Sequence, residues 1–119
     1  MPSPEKVLLD EELAAIGEHW RPRVVGRLNG QEVKVAKVQG EFVWHHHAEA
    51  DEMFLVLAGR LAIEFRDHTV ELGPGEMVVV PRGVEHRPVA AEEASILLFE
   101  TAGLRNTGNV VDERLTAPD

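Results

Sequence analysis

The sequence predicts an all-β domain, either a barrel or a double-sheet sandwich, with one short helix in front of it. Three observations lead there. Short runs alternating apolar and polar side chains recur down the chain, as in Leu61-Ala62-Ile63-Glu64-Phe65. Gly, Pro, Asn and Asp punctuate them at roughly ten-residue spacing, the mark of short antiparallel strands. No helical pattern of about 10–15 residues lies between the runs, which argues against a parallel α/β sheet. At 119 residues the chain suits one domain with one core.

The elements follow in order. Met1 to Glu5 is a Pro-rich lead-in. Leu9, Leu13, Ile16 and Trp20 recur at helical spacing, with Asp10, Glu11 and Glu12 where a helix dipole favours negative charge. The pattern predicts a helix from about Asp10 to His19, ended by Pro22, with its apolar stripe packed on a sheet or a partner subunit. Val24 to Leu28 leads into Asn29-Gly30, a strong hairpin signal, and Gln31 to Gln39 is the return strand. Gly40 and Glu41 break it. Further strands are expected over Phe42–His47, Glu52–Leu57, Leu61–Phe65, Val70–Leu72, Met77–Val80, Glu85–Val89 and Ser95–Glu100. Phe54, Leu61, Ile63, Phe65, Val78, Val80, Leu97 and Phe99 are the core candidates, and some of them, Phe54 foremost, are expected to line a pocket and touch substrate. The division is lead-in and helix over 1–22, barrel over 23–100 and a tail of little periodicity over 101–119, either irregular or exchanged as a strand with a partner.

Composition narrows the function. Twelve Lys and Arg against 21 Asp and Glu give a net charge of −9, which repels a nucleic-acid backbone, and no basic stripe offsets it. No run of about 18 apolar residues is present, so no membrane span is expected. No charged segment followed by an apolar one opens the sequence, so no secretory signal is expected either. With no cysteine, any metal must be held by nitrogen and oxygen ligands, and a reducing cytoplasm is the fitting compartment.

The stretch from Trp44 to Glu52 holds half of the six histidines. In a strand, residues two apart share a face, so His45 and His47 project together with Val43, while Phe42, Trp44 and His46 face the other way. Two imidazoles roughly 6–7 Å apart at the backbone can converge on one ion. Glu52 opens the next apolar strand after a polar loop. Period two favours it over Asp51 because it shares a face with Phe54 and Val56. His86 lies downstream, behind the turns at Gly73–Gly75 and Pro81–Gly83. Arg82, in the second turn, is either a solvated turn residue or a contact for an anionic substrate. His19 and His68 are expected on the surface, and Glu85 and Arg87 are expected to point outward beside His86.

Here the chain resembles the cupin superfamily. Gly40, His45, His47, Glu52 and Gly59 match its first motif, with four residues after Gly40 where five are usual. Gly75, Pro81, Gly83 and His86 match the second, and Ala90 stands where the motif has Asn. Fifteen residues separate Gly59 from Gly75, a short spacer like that of small single-domain members. Asn106-Thr107-Gly108-Asn109 is similar to a tail in small members called mannose-6-phosphate-isomerase-like, a label that transfers no substrate. The resemblance implies a single-domain jelly-roll β-barrel and pairing as a homodimer, with the N-terminal helix and first strand as interface elements. It implies that His45, His47, Glu52 and His86 bind one divalent transition metal, Fe, Mn, Ni or Zn, inside the barrel mouth. The functions it leaves open are a metal-dependent enzyme on a small polar molecule (an oxygenase or a sugar-type isomerase, with Glu52 as proton acceptor) and a non-catalytic module that binds or senses a small ligand or metal.

Overall fold

Asn29 and Gly30 both take left-handed φ angles, 51° and 74°, as a two-residue type I′ hairpin demands. They join β1 (Arg23–Leu28) to β2 (Gln31–Glu41) in the computed structural model, which describes residues 4–118. The start of the lead-in, 1–3, and the last tail residue lie outside the described residues. Five further strands follow: β3 (Glu52–Ala58), β4 (Leu61–Phe65), β5 (Thr69–Leu72), β6 (Met77–Val80) and β7 (His86–Thr101). All pairings are antiparallel, and the fold is the jelly-roll β-barrel.

β7 is the spine. One edge pairs with β2 along almost its whole length. Its other edge pairs with β4 near its start, from His86 to Val89, and with β3 near its end, from Ser95 to Glu100. The first group closes a small sheet with β5, and the second forms the larger sheet in the order β1-β2-β7-β3-β6. Bulges between Val38 and Gly40 and between Val56 and Ala58 let the strands bend from one sheet to the other. The core between them gathers Ala36, Val38, Phe54, Val56, Leu61, Ile63, Val80, Ile96 and Leu98. Gly59 turns the chain from β3 into β4 at φ 82°, and a Cβ there would stand 3.0 Å from the Ala94 Cα.

Four expectations are corrected. The two strands expected at the end are one strand, because Ala90 to Ala94 continue the ladder through an exposed Ala91-Glu92-Glu93 stretch. Within it Ile96 and Leu98 are buried, while Leu97 and Phe99 are only half-buried on the outer face. The continuous run Ile96-Leu97-Leu98-Phe99 has no polar residue to mark which parity faces in.

The helix is α1, Leu9–Ala14. It stops short of His19 because Gly17 follows, a residue that costs ~1 kcal/mol in a helix. Trp20 leaves the helical register altogether. It takes φ 63°, which costs an aromatic residue ~1–3 kcal/mol, and buries its indole in the barrel. Truncating such a buried ring typically costs ~3–5 kcal/mol, so burial outweighs the strain.

Phe42–His47 is not a strand. Phe42 N–H donates to the Pro88 carbonyl, and His45 and His86 make a single bridge, but Pro88 has no N–H to continue the ladder. Strict alternation is therefore lost. Phe42, expected to face away from His45, is buried on the same side, with its ring edge-on to the His45 imidazole at 5.4 Å.

The tail from Ala102 onward contains no strand among the described residues and wraps the barrel in turns, with Thr107 and Leu115 buried. No helix among the described residues is long and apolar enough to cross a membrane.

Candidate metal centre

His45 and His86 come together because their backbones bridge: each N–H donates to the other's carbonyl, at 3.0 and 2.9 Å. Their ring centroids lie 4.3 Å apart. His47 follows two residues after His45, and Glu52 opens β3 facing the same interior. All four side chains are buried, and one potential ligand atom from each lies within 4.8 Å of the others. The four residues that the resemblance implies as ligands of one metal thus lie together.

Hydrogen bonds set the two bridging imidazoles. The Nδ1 atoms of His45 and His86 lie 2.9 Å from the carbonyls of Val43 and Val84. An Nδ1–H donating there leaves each Nε2 as a lone pair aimed into the cluster. Glu52 Oε1 lies 3.3 Å from His47 Nε2 and 3.4 Å from His86 Nε2. Yet Glu52 Oε1, His86 Nε2 and both ring nitrogens of His47 have no hydrogen-bond partner while buried. Buried polar atoms left unpaired cost ~1–3 kcal/mol each. Neighbouring ligand atoms around an ion bound at ~2.1 Å stand about 3.0–3.4 Å apart, so the observed separations and the orphaned atoms fit a metal ion. The four residues can hold one.

The electrostatics agree. Burial, and then the nearby His86, pull the His45 imidazole down to about 4, so it is neutral. Burial would raise the Glu52 carboxyl, but the neighbouring Glu100 carboxyl, and then the close His47 and His86 imidazoles, more than offset this and hold it below the usual carboxylate range.

Glu100 is the residue the sequence reasoning missed. It continues the inward face of β7 after Ala94, Ile96 and Leu98, stands opposite Glu52 in the ladder, and is 4% exposed. Burial first, and then Glu52, push its carboxyl up to about 9, so the pair carries one proton, on Glu100. Lys34 donates to Glu100 Oε1 at 2.9 Å and stands 3.7 Å from Glu32, which pairs with Arg27 at the surface. A carboxylate continuing an apolar alternation, with a Lys and a Glu two apart in β2, was the available signal.

The tail is the other surprise. The Asn109 side-chain oxygen accepts from the His46 N–H at 2.9 Å, and the Asn109 N–H donates back to the His46 carbonyl. A Cβ on Gly108 would overlap that carbonyl and approach His45 Cδ2 to 3.1 Å. The segment over 106–109 thus braces the histidine run from outside.

The remaining candidates sit apart. Asp51 is exposed and takes both the backbone N–H and the guanidinium of Arg82, at 2.8 and 3.3 Å. Arg82 lines an outer groove that also touches Glu52 and Glu100. Phe54 lines the interior cavity beside His45 and Glu52. Trp44 lies under the guanidinium groups of Arg66 and Arg87, which pair with Glu85 and Glu64. His19 and His68 bind Glu93 and Asp67 away from the cluster.

The cavity beside the cluster has a volume of about 30 Å³, room for a couple of water molecules. Trp20, Phe42, Phe54, Ile96 and Leu98 make most of its wall, and no Lys or Arg lines it among the described residues.

Comparison with known proteins agrees with this architecture. Residues 31–100, more than half the chain, match the Cupin_2 family, described as a cupin domain. A crystal structure of a cupin-2 domain containing protein from Shewanella frigidimarina is 45% identical, covering 80% of this chain and 93% of that one, with a TM-score of 0.78. Protein NMB1881 from Neisseria meningitidis is 34% identical over 82% of this chain and 100% of its own, with a TM-score of 0.75. The uncharacterized protein YdbB of Bacillus subtilis is 39% identical over 64 residues, 53% of this chain, and the match spans only 57% of that relative's length.

Proposed function

The chain belongs to the cupin domain family, and from that premise we propose that it is a metal-dependent enzyme acting on a small polar molecule by oxygenase-type chemistry. One observation carries the reading: four buried ligand atoms, from His45, His47, Glu52 and His86, converge with several left unpartnered beside a cavity. Three imidazoles and a carboxylate would hold the ion and leave it open to exogenous ligands. Bound there, Fe, Mn, Ni or Zn would supply Lewis-acid polarisation, and Fe or Mn redox chemistry with oxygen as well.

The chain's own residues do the rest. His45 and His86 present Nε2 because their Nδ1–H groups are spent on Val43 and Val84. Glu52, ionised, is placed to accept a proton from a bound molecule, with Glu100 beside it. Phe54 gives the ligand an apolar wall. Arg82 meets an anionic group only from the outer groove, and its guanidinium is already shared with Asp51.

The alternative of a sugar-type isomerase is less well supported, because a sugar phosphate calls for a cation and the cavity wall has none among the described residues. The small cavity favours a second reading, a non-catalytic module that senses a small ligand through the metal. Metal analysis of untagged protein purified without chelators tests both. Near one equivalent of a transition metal is expected, and less than about a tenth, with none taken up on titration, rules out a metal-dependent role. Oxygen uptake with candidate substrates, absent from the metal-free protein, then separates the enzyme from the sensor.

Two further readings go with this one. The cysteine-free composition supports a cytoplasmic setting. A homodimer is supported by the outer face of the large sheet, where Val33, Phe99, Met53 and Val79 form one apolar row and Leu97, Leu55 and Met77 the next. Met77 and Val79 are 50% exposed. Light scattering of Val79→Lys against wild type tests it: a dimer that becomes a monomer is expected, and a wild-type monomer removes the reading.

A further inference from the structure

Trp20 is held harder than a wall residue needs to be. Its N–H donates to the Lys37 carbonyl at 3.0 Å, and its indole N–H to the Gln39 carbonyl at 3.0 Å. Its own carbonyl accepts from the Asn106 side-chain amide at 3.1 Å. The same amide nitrogen donates to the Leu115 carbonyl at 2.9 Å, and Asn106 Oδ1 accepts from Ala117 N–H. The N-terminal segment and the tail are thus clasped over one end of the barrel. The indole stacks on Phe42 with centroids 4.5 Å apart, and Phe42 lies edge-on to His45.

This clasp separates two spaces. Pro22 and Asn106 line both the interior cavity and an outer depression of about 400 Å³ that also meets Glu32, Lys34 and Arg105. The interior space is about 30 Å³. A dry cavity that takes a benzene ring is on the order of 150 Å³. Trp20 is the largest side chain lining the interior space.

We propose that Trp20 is the specificity-determining residue of the cavity beside His45 and Glu52, and that its indole restricts what fits there to molecules of a few heavy atoms. The ligand class that follows is a small molecule with one metal-seeking polar end and almost no body. Ring-sized molecules are refused by the indole and not by the metal ligands. The inference rests on the reading of this cavity as the substrate side of the metal site.

Calorimetric titration with phenol, a single ring with one polar end, tests it on metal-free and Zn(II)-loaded protein. Wild type and the control Trp44→Phe, whose ring lies outside the cavity, are expected to show no saturable binding. Trp20→Ala is expected to bind phenol at least about tenfold more tightly than wild type in the metal-free protein. Trp20→Phe, which keeps a ring on Phe42 and frees part of the space, falls between them and carries the test if Trp20→Ala does not fold. Phenol binding by wild type as tight as by the Trp20 variants, an equal gain in Trp44→Phe, or flat titrations for every folded Trp20 variant would overturn the assignment. Because the decisive titration is done without metal, its failure leaves the metal reading to the elemental analysis.

Discussion

Glu52 and Glu100 stand directly opposite each other across the β3–β7 ladder, both buried, with the Glu52 carboxyl held low and the Glu100 carboxyl pushed up. The first is a candidate metal ligand, and the second is anchored by Lys34. The carboxylate offered to a metal is therefore ionised without a second negative charge beside it.

That pair makes the metal-free protein sensitive to alkali. Glu100, pushed up to about 9, keeps in the folded state a proton that the unfolded chain loses near 4.5. Its contribution is complete below 4.5 and is lost as pH rises toward 9. His45 acts in the other direction: down at about 4 when folded, against 6.5, it loses stability as pH falls between those values. Glu52, held low, also loses its contribution in acid. Urea melts of metal-free wild type should therefore show stability falling between about pH 7 and 9, on the order of 1–3 kcal/mol, and Glu100→Gln should flatten that limb. An unchanged limb in Glu100→Gln would place the proton elsewhere.

His47→Ala should lose at least about a hundredfold in Zn(II) affinity, more than the 10–100-fold typical of supporting residues, while His46→Ala stays near wild type. His47 has both ring nitrogens buried and unpartnered, whereas His46 is engaged with Asn109 only through its backbone. Competition titration against a chromophoric chelator measures both. Equal losses would mean that the interior orientation of His47 is wrong.

Gly108→Ala should cost stability and metal affinity together. It sits at φ 57°, and its Cβ would overlap the His46 carbonyl. Relief requires the tail or the His45–His47 backbone to shift, so a lower melting temperature and about tenfold weaker Zn(II) binding are expected. Retained affinity with only a lower melting point would confine the tail to a packing role.

Lys34→Met should destabilise the fold by ~1–3 kcal/mol, the cost of leaving the buried Glu100 oxygen without its donor. The added effect of Glu100→Gln on that background should be smaller than on wild type, because the two residues touch. Additive effects in chemical denaturation would show that the contact carries no coupling.

The hairpin at Asn29-Gly30 and the shared face of His45 and His47 were legible because each depends on local chemistry or short spacing, whereas His86 joined them only through the resemblance of its turn motif. The inward parity of β7 was not, since Ile96 to Phe99 are all apolar and only the ladder with β2 and β3 decides which of them faces the core. Trp20 misled for a related reason. Its spacing from Leu13 and Ile16 fits a helix, and a contact with Phe42, far along the chain, overrides that preference. The brace at Gly108–Asn109 is a loop meeting a loop, with no periodicity to announce it.

β7 carries His86 at one end and Glu100 at the other, and it is the last strand of the barrel. β2, β3 and β4 each find a partner in it. As the chain emerges during synthesis, those strands must wait with open edges until it appears, and the histidine run has neither His86 nor Gly108 to set it. Four of the six pairings span a long stretch of sequence, which slows folding and leaves apolar strands exposed meanwhile. A metal held by these four residues would therefore be captured only after β7 and the tail behind it have closed over the site.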